Sequence, residues 1–198
     1  MGKLLTVVGN TGVGKTTFVE AICRHADYIC ATEDHEGRPF QELFTQNHKK
    51  YALPNQLDYL LRRADQEIHI RQGYLPGVQD GGLDQDFHVF TKLFHNKGYL
   101  TESEFDICQR QYDLVRSFLP PPEYIIWLKA SPGVITERFQ QRGRRLSIAQ
   151  TEDIEAIDEL LNNWLDAIAE GKLIVVDSGQ EDQHYPATIE IVTSLLDG

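Results

Sequence analysis

The sequence predicts an α/β fold in which parallel strands alternate with helices along a single domain spanning residues 1–198. Three observations predict it. A continuous apolar run, Lys3–Gly9, ends in glycine and opens directly onto a helical stretch, as a buried parallel strand does. Further short apolar runs recur at Tyr28–Thr32, Leu75–Gln79, Tyr124–Lys129 and Leu173–Asp177. Between them the apolar spacing turns helical, at Lys15–His25 and over residues 51–72, 84–97, 101–118, 131–142, 152–169 and 186–196. Parallel strands joined by right-handed crossovers gather ligands at their carboxyl ends, so the site is expected there.

Each element has its own signal. The first strand is apolar throughout, the weaker third is bracketed by Gly73, Pro76 and Gly81-Gly82, and the fourth follows the stiff Pro120-Pro121-Pro122 connection. Composition bounds the rest. The 198 residues are 41% hydrophobic and 25% charged, which suits one folded core. A net charge of −11 leaves no basic field for nucleic acid, and no apolar run is long enough to cross a bilayer. Three cysteines without CxxC spacing read as buried apolar residues of a reducing compartment, so a cytoplasmic protein is expected. The histidines show no zinc spacing.

Gly9-Asn10-Thr11-Gly12-Val13-Gly14-Lys15-Thr16 fits G-x-x-x-x-G-K-[ST] between a strand and a helix, followed by Thr17. In that context the pattern is a phosphate-binding loop: backbone amides and a helix N-terminus cradle phosphate, Lys15 reaches the outer phosphates, and Thr16 ligates Mg²⁺. ATP and Mg²⁺ are the expected cofactors. GTPase signatures are missing: Asn96-Lys97-Gly98-Tyr99 lacks the aspartate of N-K-x-D, and Asp80-Gly81-Gly82-Leu83 lacks the last glycine of D-x-x-G.

Glu33 and Asp80 close the second and third strands, where one carboxylate would serve as a base and the other as a metal holder. Arg138 and Arg142 share a helix face ahead of Gly143, Arg144 and Arg145, a cluster suited to closing over polyphosphate as a lid over about residues 138–149.

Together these segments, with Lys49-Lys50-Tyr51-Ala52 leading to Gln56 and Arg63 and with Asp80 to Asp86, resemble the deoxyribonucleoside kinase family over nearly the whole chain. The resemblance implies a P-loop NTPase-type three-layer sandwich, a five-stranded parallel sheet between helices, with an arginine-rich lid and often a homodimer. It implies phosphoryl transfer from ATP to the 5′-hydroxyl of a small-molecule nucleoside, purine or deoxycytidine. It makes Glu33 the base, Lys15, Arg138, Arg142 and Arg144 the charge stabilisers, and Thr16 and Asp80 the metal holders. Gln56 and Asp86 would bind the nucleobase with Arg63 in support, and Thr45 would face the sugar.

Three positions depart from the family. Its acid-Arg-Ser triplet stands as Asp80-Gly81-Gly82, its tyrosine as Thr45, and a carboxylate near the sugar as Asn162. These departures leave open a nucleotide-binding protein with weak or no turnover, or a kinase of a nucleoside monophosphate or another small acceptor. They also leave open whether Arg62, Arg71 or a lid arginine supplies the missing charge.

Overall fold

The computed structural model describes residues 2–32, 38–141, 151–179 and 185–197. Five parallel strands form one sheet in the order β2-β3-β1-β4-β5. They are β1 Leu4–Gly9, β2 Ile29–Ala31, β3 Gly77–Asp80, β4 Tyr124–Lys129 and β5 Leu173–Asp177. β1 lies at the centre, every residue buried, with Val7 paired to Asp80 of β3 and Gly9 to Leu128 of β4. The edge strands β2 and β5 are only partly buried.

The helices are α1 Lys15–His25, α2 Pro39–Gln46, α3 His48–Gln72, α4 Leu83–Gln85, α5 Lys92–Asn96, α6 Glu102–Phe118, α7 Pro132–Gln141, α8 Ile154–Leu165 and α9 Pro186–Asp197. A π-helical segment, Asp86–Thr91, runs from α4 into α5. Alternation along β4 sorts the core into two layers. Ile125 and Trp127 pack with Leu60, Phe87, Phe94 and Leu161 on one face, while Ile126 and Leu128 pack with Phe18, Ile22, Ile189 and Val192 on the other. This is the three-layer sandwich that the alternation of elements predicts.

Four local expectations need correction. The polar stretch before residue 51 holds a helix that its pattern hides: α2 starts at Pro39, whose fixed φ and missing N–H suit a first turn, and it buries Phe44. α3 begins at His48 rather than 51, because the Asn47 side chain caps it by accepting from the Lys50 amide. The expected helix 84–97 is interrupted by the π segment. Finally, Cys23 and Cys30 are neither buried nor free: they form a disulfide joining α1 to β2, and only Cys108 is a buried thiol. The argument from cysteine to a reducing compartment loses its basis.

Candidate functional site

The phosphate loop bridges β1 and α1. Gly9 has φ 148°, and a Cβ there would lie 2.5 Å from the Leu128 carbonyl oxygen. Gly14 has φ 111°, and a Cβ there would meet the Tyr185 hydroxyl at 3.1 Å. Both positions need glycine, for conformation and for space. Lys15 Nζ donates to the Gly9 and Asn10 carbonyls, each at 3.0 Å, which folds its stem back over the loop.

Surrounding elements brace the loop. The Asn10 amide donates to the Ile154 carbonyl at 2.8 Å and to Asp158 Oδ1 at 2.7 Å, tying the loop to α8. Arg138 of α7 donates to the Val13 and Ser178 carbonyls, at 3.1 and 3.0 Å, and Ser178 Oγ donates to the Val13 carbonyl as well. Arg138 therefore stands at the phosphate loop. Tyr185 stacks edge-on against Phe18 with its ring centroid 5.0 Å away. Ser178, Asp158 and Tyr185 carry no motif, and only the chain's return to the same sheet edge reveals them.

Thr16 Oγ1 donates to Asp80 Oδ2 at 2.7 Å. The start of α1 and the end of β3 thus bring two side-chain oxygens together beside the loop, the donor type that Mg²⁺ prefers.

On the other side of the sheet edge, α3 presents Gln56, Tyr59 and Arg63 on one face, by their three- and four-residue spacing. All three are buried. The π segment begins at Asp86, whose carbonyl accepts from Gln56 Nε2 at 3.0 Å and from Thr91 Oγ1 at 2.9 Å. The Asp86 carboxylate accepts from Arg63 Nε at 2.8 Å. A π turn displaces the ordinary helical bond, which releases a main-chain acceptor to a neighbouring helix. Arg38 and Gln41 are buried too, and the Arg38 guanidinium lies 3.5 Å above the Tyr59 ring. So many polar side chains buried in one region make it the candidate place for a polar ligand. Arg38, Gln41 and Tyr59 escape a sequence reading because α2 does.

The segment carrying Asp86 is held from below by a charged network. Arg116 of α6 donates to both carboxylate oxygens of Asp84, at 2.8 and 3.0 Å, and of Glu67, at 2.9 and 3.0 Å. Tyr112 donates to Asp84 Oδ1 at 2.8 Å.

The residues named from sequence fall into two clusters, with others apart from both. Lys15, Thr16, Asp80 and Arg138 meet at the loop, and Gln56, Arg63 and Asp86 meet around the π segment. Glu33, Arg142 and Arg144 lie outside the described residues, although Thr32, just before Glu33, is tied to α3 by Gln66 Nε2 at 3.1 Å. Thr45 joins neither group: it is exposed on α2 and its hydroxyl donates to the Glu42 carbonyl at 2.7 Å.

The surroundings of Gly81 bear on part of the question it poses. Its φ is 86°, and a Cβ there would stand 3.1 Å from Arg63 Nη2. A guanidinium thus lies against the position where the family's arginine would begin. Arg71 does not supply this charge: it pairs with Glu67 and Glu123, and Glu123 accepts from the Leu4 amide at the amino end of β1. Arg62 pairs with Asp58 on its own helix.

The deoxynucleoside kinase family model matches residues 5–195. The chain is 22% identical over 166 residues to a deoxyadenosine/deoxycytidine kinase of Bacillus subtilis (strain 168), covering 82% of this chain and 76% of that one. It is 24% identical over 140 residues to a deoxyguanosine kinase of the same organism, covering 71% and 67%. A solved deoxyadenosine kinase from M. mycoides with dCMP and dCDP bound superposes with a TM-score of 0.81 over 98% of each chain, at 20% identity, and shares the fold.

Proposed function

The chain belongs to the deoxynucleoside kinase family, and from that premise we propose that it transfers the γ-phosphoryl group of ATP to the 5′-hydroxyl of a deoxynucleoside, a purine or deoxycytidine. The observation that carries this reading is the convergence of Gln56 and Arg63 on Asp86, beside the loop that leads to Lys15 and Thr16 and the Asp80 carboxylate at the end of β3. Base preference rests on side-chain chemistry. A carboxylate accepts, and a glutamine amide donates and accepts, which suits an exocyclic amino group beside a ring nitrogen, as in adenine and cytosine. The names of the similar kinases, deoxyadenosine, deoxycytidine and deoxyguanosine, support the same set.

In this reading Lys15 leaves the loop carbonyls for the outer phosphates, and the loop amides hold the β-phosphate. Thr16 and Asp80 hold Mg²⁺, which when bound neutralises charge on the phosphates. Arg138 adds positive charge from α7, with Arg142 and Arg144 following as the lid, and Arg63 supplies the guanidinium beside Gly81. Glu33 accepts the proton of the 5′-hydroxyl. Most of the catalysis is then positioning and charge, which folded loop and helix ends supply in advance.

We also assign a homodimer. Leu61 on α3, and Leu114 and Phe118 on the adjacent α6, are exposed, and a second copy would cover them. Among the described residues no helix is long and apolar enough to cross a membrane.

The test is ADP release from Mg·ATP with each nucleoside and nucleoside monophosphate, with a no-acceptor blank and a Lys15→Ala control. Release stimulated by one deoxynucleoside and abolished in the control is expected. Tight ATP binding without release for any acceptor would overturn the kinase reading in favour of a binding protein, and stimulation by a monophosphate alone would move the acceptor.

A further inference from the structure

Between the phosphate loop and the acceptor recess lies one residue that neither motif names. Gln85 ends α4, directly before Asp86, and is almost fully buried. Its Oε1 accepts from the Gly9 amide at 3.0 Å, and its Nε2 donates to the Gly9 carbonyl at 3.2 Å. A single carboxamide thus closes a two-bond pair with the peptide groups of the loop's first residue, giving and taking at once, which an ionised carboxylate or an apolar side chain cannot do.

Two features turn this contact into a device. First, the Gly9 carbonyl has a second donor, Lys15 Nζ at 3.0 Å. When Lys15 moves to a phosphate, that carbonyl keeps Gln85, so the move leaves no buried acceptor unpaired. Second, Gln85 is held on both sides. Asp84 is fixed by Arg116 and Tyr112, and Asp86 by Gln56 and Arg63. A ligand that orders Asp86 therefore also orders Gln85, and through it Gly9.

We infer that Gln85 is a positioning residue that couples the nucleoside recess to the phosphate loop, so that acceptor and donor bind with mutual reinforcement. The inference rests on the kinase reading for its acceptor half only. Coupling of this kind is reciprocal, so it shows equally in either titration.

The experiment is calorimetric titration of a non-hydrolysable ATP analogue with Mg²⁺, with and without each deoxynucleoside, on the wild type, Gln85→Met and Gln85→Glu. In the wild type the accepted nucleoside should tighten the analogue. Gln85→Met keeps the shape and loses both bonds. It should bind the analogue about tenfold more weakly and lose the nucleoside's tightening effect, while the nucleoside alone binds within about twofold of wild type. Gln85→Glu keeps an acceptor for the Gly9 amide but sets a carboxylate against the Gly9 carbonyl, so it should also bind the analogue more weakly than wild type at neutral pH and recover toward wild type as the pH falls, because a protonated carboxyl regains the donor to Gly9. That recovery, read as the ratio to wild type, would not follow from a merely structural role, and it serves if the methionine variant folds poorly. Unchanged analogue affinity in Gln85→Met, or equal losses for analogue and nucleoside without recovery at low pH, would overturn the inference. If no nucleoside binds the wild type, the acceptor assignment fails, and analogue affinity alone decides: a tenfold loss supports Gln85 as a loop-positioning residue and equality removes it.

Discussion

Gly81 sits at φ 86° and Gly82 at φ 104°, and a Cβ on Gly82 would lie 2.8 Å from Thr6 Cγ2. Two successive left-handed residues leave β3 so abruptly that the turn favours glycine at both. Restoring the family's arginine with Gly81→Arg is therefore expected to cost about 1 kcal/mol or more of stability and to leave turnover no faster, since the Arg63 guanidinium already stands there. Chemical denaturation and steady-state rates check both parts. Thr16 and Asp80 make a second residue-scale case. Thr16→Ala keeps the fold, because its hydroxyl bonds only Asp80 among the contacts described. It should raise the Mg²⁺ concentration for half-maximal activity about tenfold, the low end of what a metal partner contributes. An unchanged Mg²⁺ titration would remove Thr16 from the metal site.

At the scale of elements, α4 and the π segment depend on what lies beneath them. Tyr112 gives its one hydroxyl proton to Asp84, so His88 Nε2, 3.1 Å from the Tyr112 oxygen, must carry a hydrogen and donate. His88 also stacks on Trp164 with ring centroids 5.3 Å apart. Burial, followed by the neighbouring charge of Lys92, pushes its pKa down to about 4. The folded chain thus keeps His88 neutral, whereas the unfolded chain protonates it near its ordinary 6.5. Its contribution is fully present above pH 6.5 and drains away as the pH falls toward 4, by about 3 kcal/mol at most. Unfolding free energies at pH 7.5 and 5 should diverge less in His88→Gln than in wild type. The Cys23–Cys30 disulfide clamps α1 to the short edge strand β2. Closing so short a loop contributes about 2 kcal/mol, and Cys30→Ser should lose that amount in denaturant titrations run without reductant.

For the whole molecule, the proposed homodimer is tested at the exposed apolar residues of α3 and α6. Leu114 and Phe118 are four residues apart on α6, and Leu61 faces out from its neighbour α3. Leu114→Glu puts a charge into any contact between two copies of this surface. Sedimentation should show the wild type at twice the chain mass and the variant shifted to one chain mass, with thermal stability of the monomer unit little changed. A wild type that sediments as one chain would reject the dimer.

The sequence alone determined the strand–loop–helix opening, the five strands and the place of the glycine loop between the first strand and helix. Those signals are local: a buried parallel strand is apolar along its whole length, and the loop motif is contiguous because one stretch of backbone must wrap one phosphate group. Local pattern also picked out Gln56, Arg63 and Asp86 through family resemblance, though not their convergence. Tertiary structure alone decided which distant side chains meet: Asn10 with Asp158, Arg138 with Val13, Arg63 with Gly81 and Gln85 with Gly9. These pairs are separated along the chain by more than any helical or strand repeat, and contacts between such partners leave no periodicity in it. The helix α2 and the π segment were hidden for a related reason, since packing of Phe44 and capture of the Asp86 carbonyl by Gln56, rather than local propensity, hold them in place.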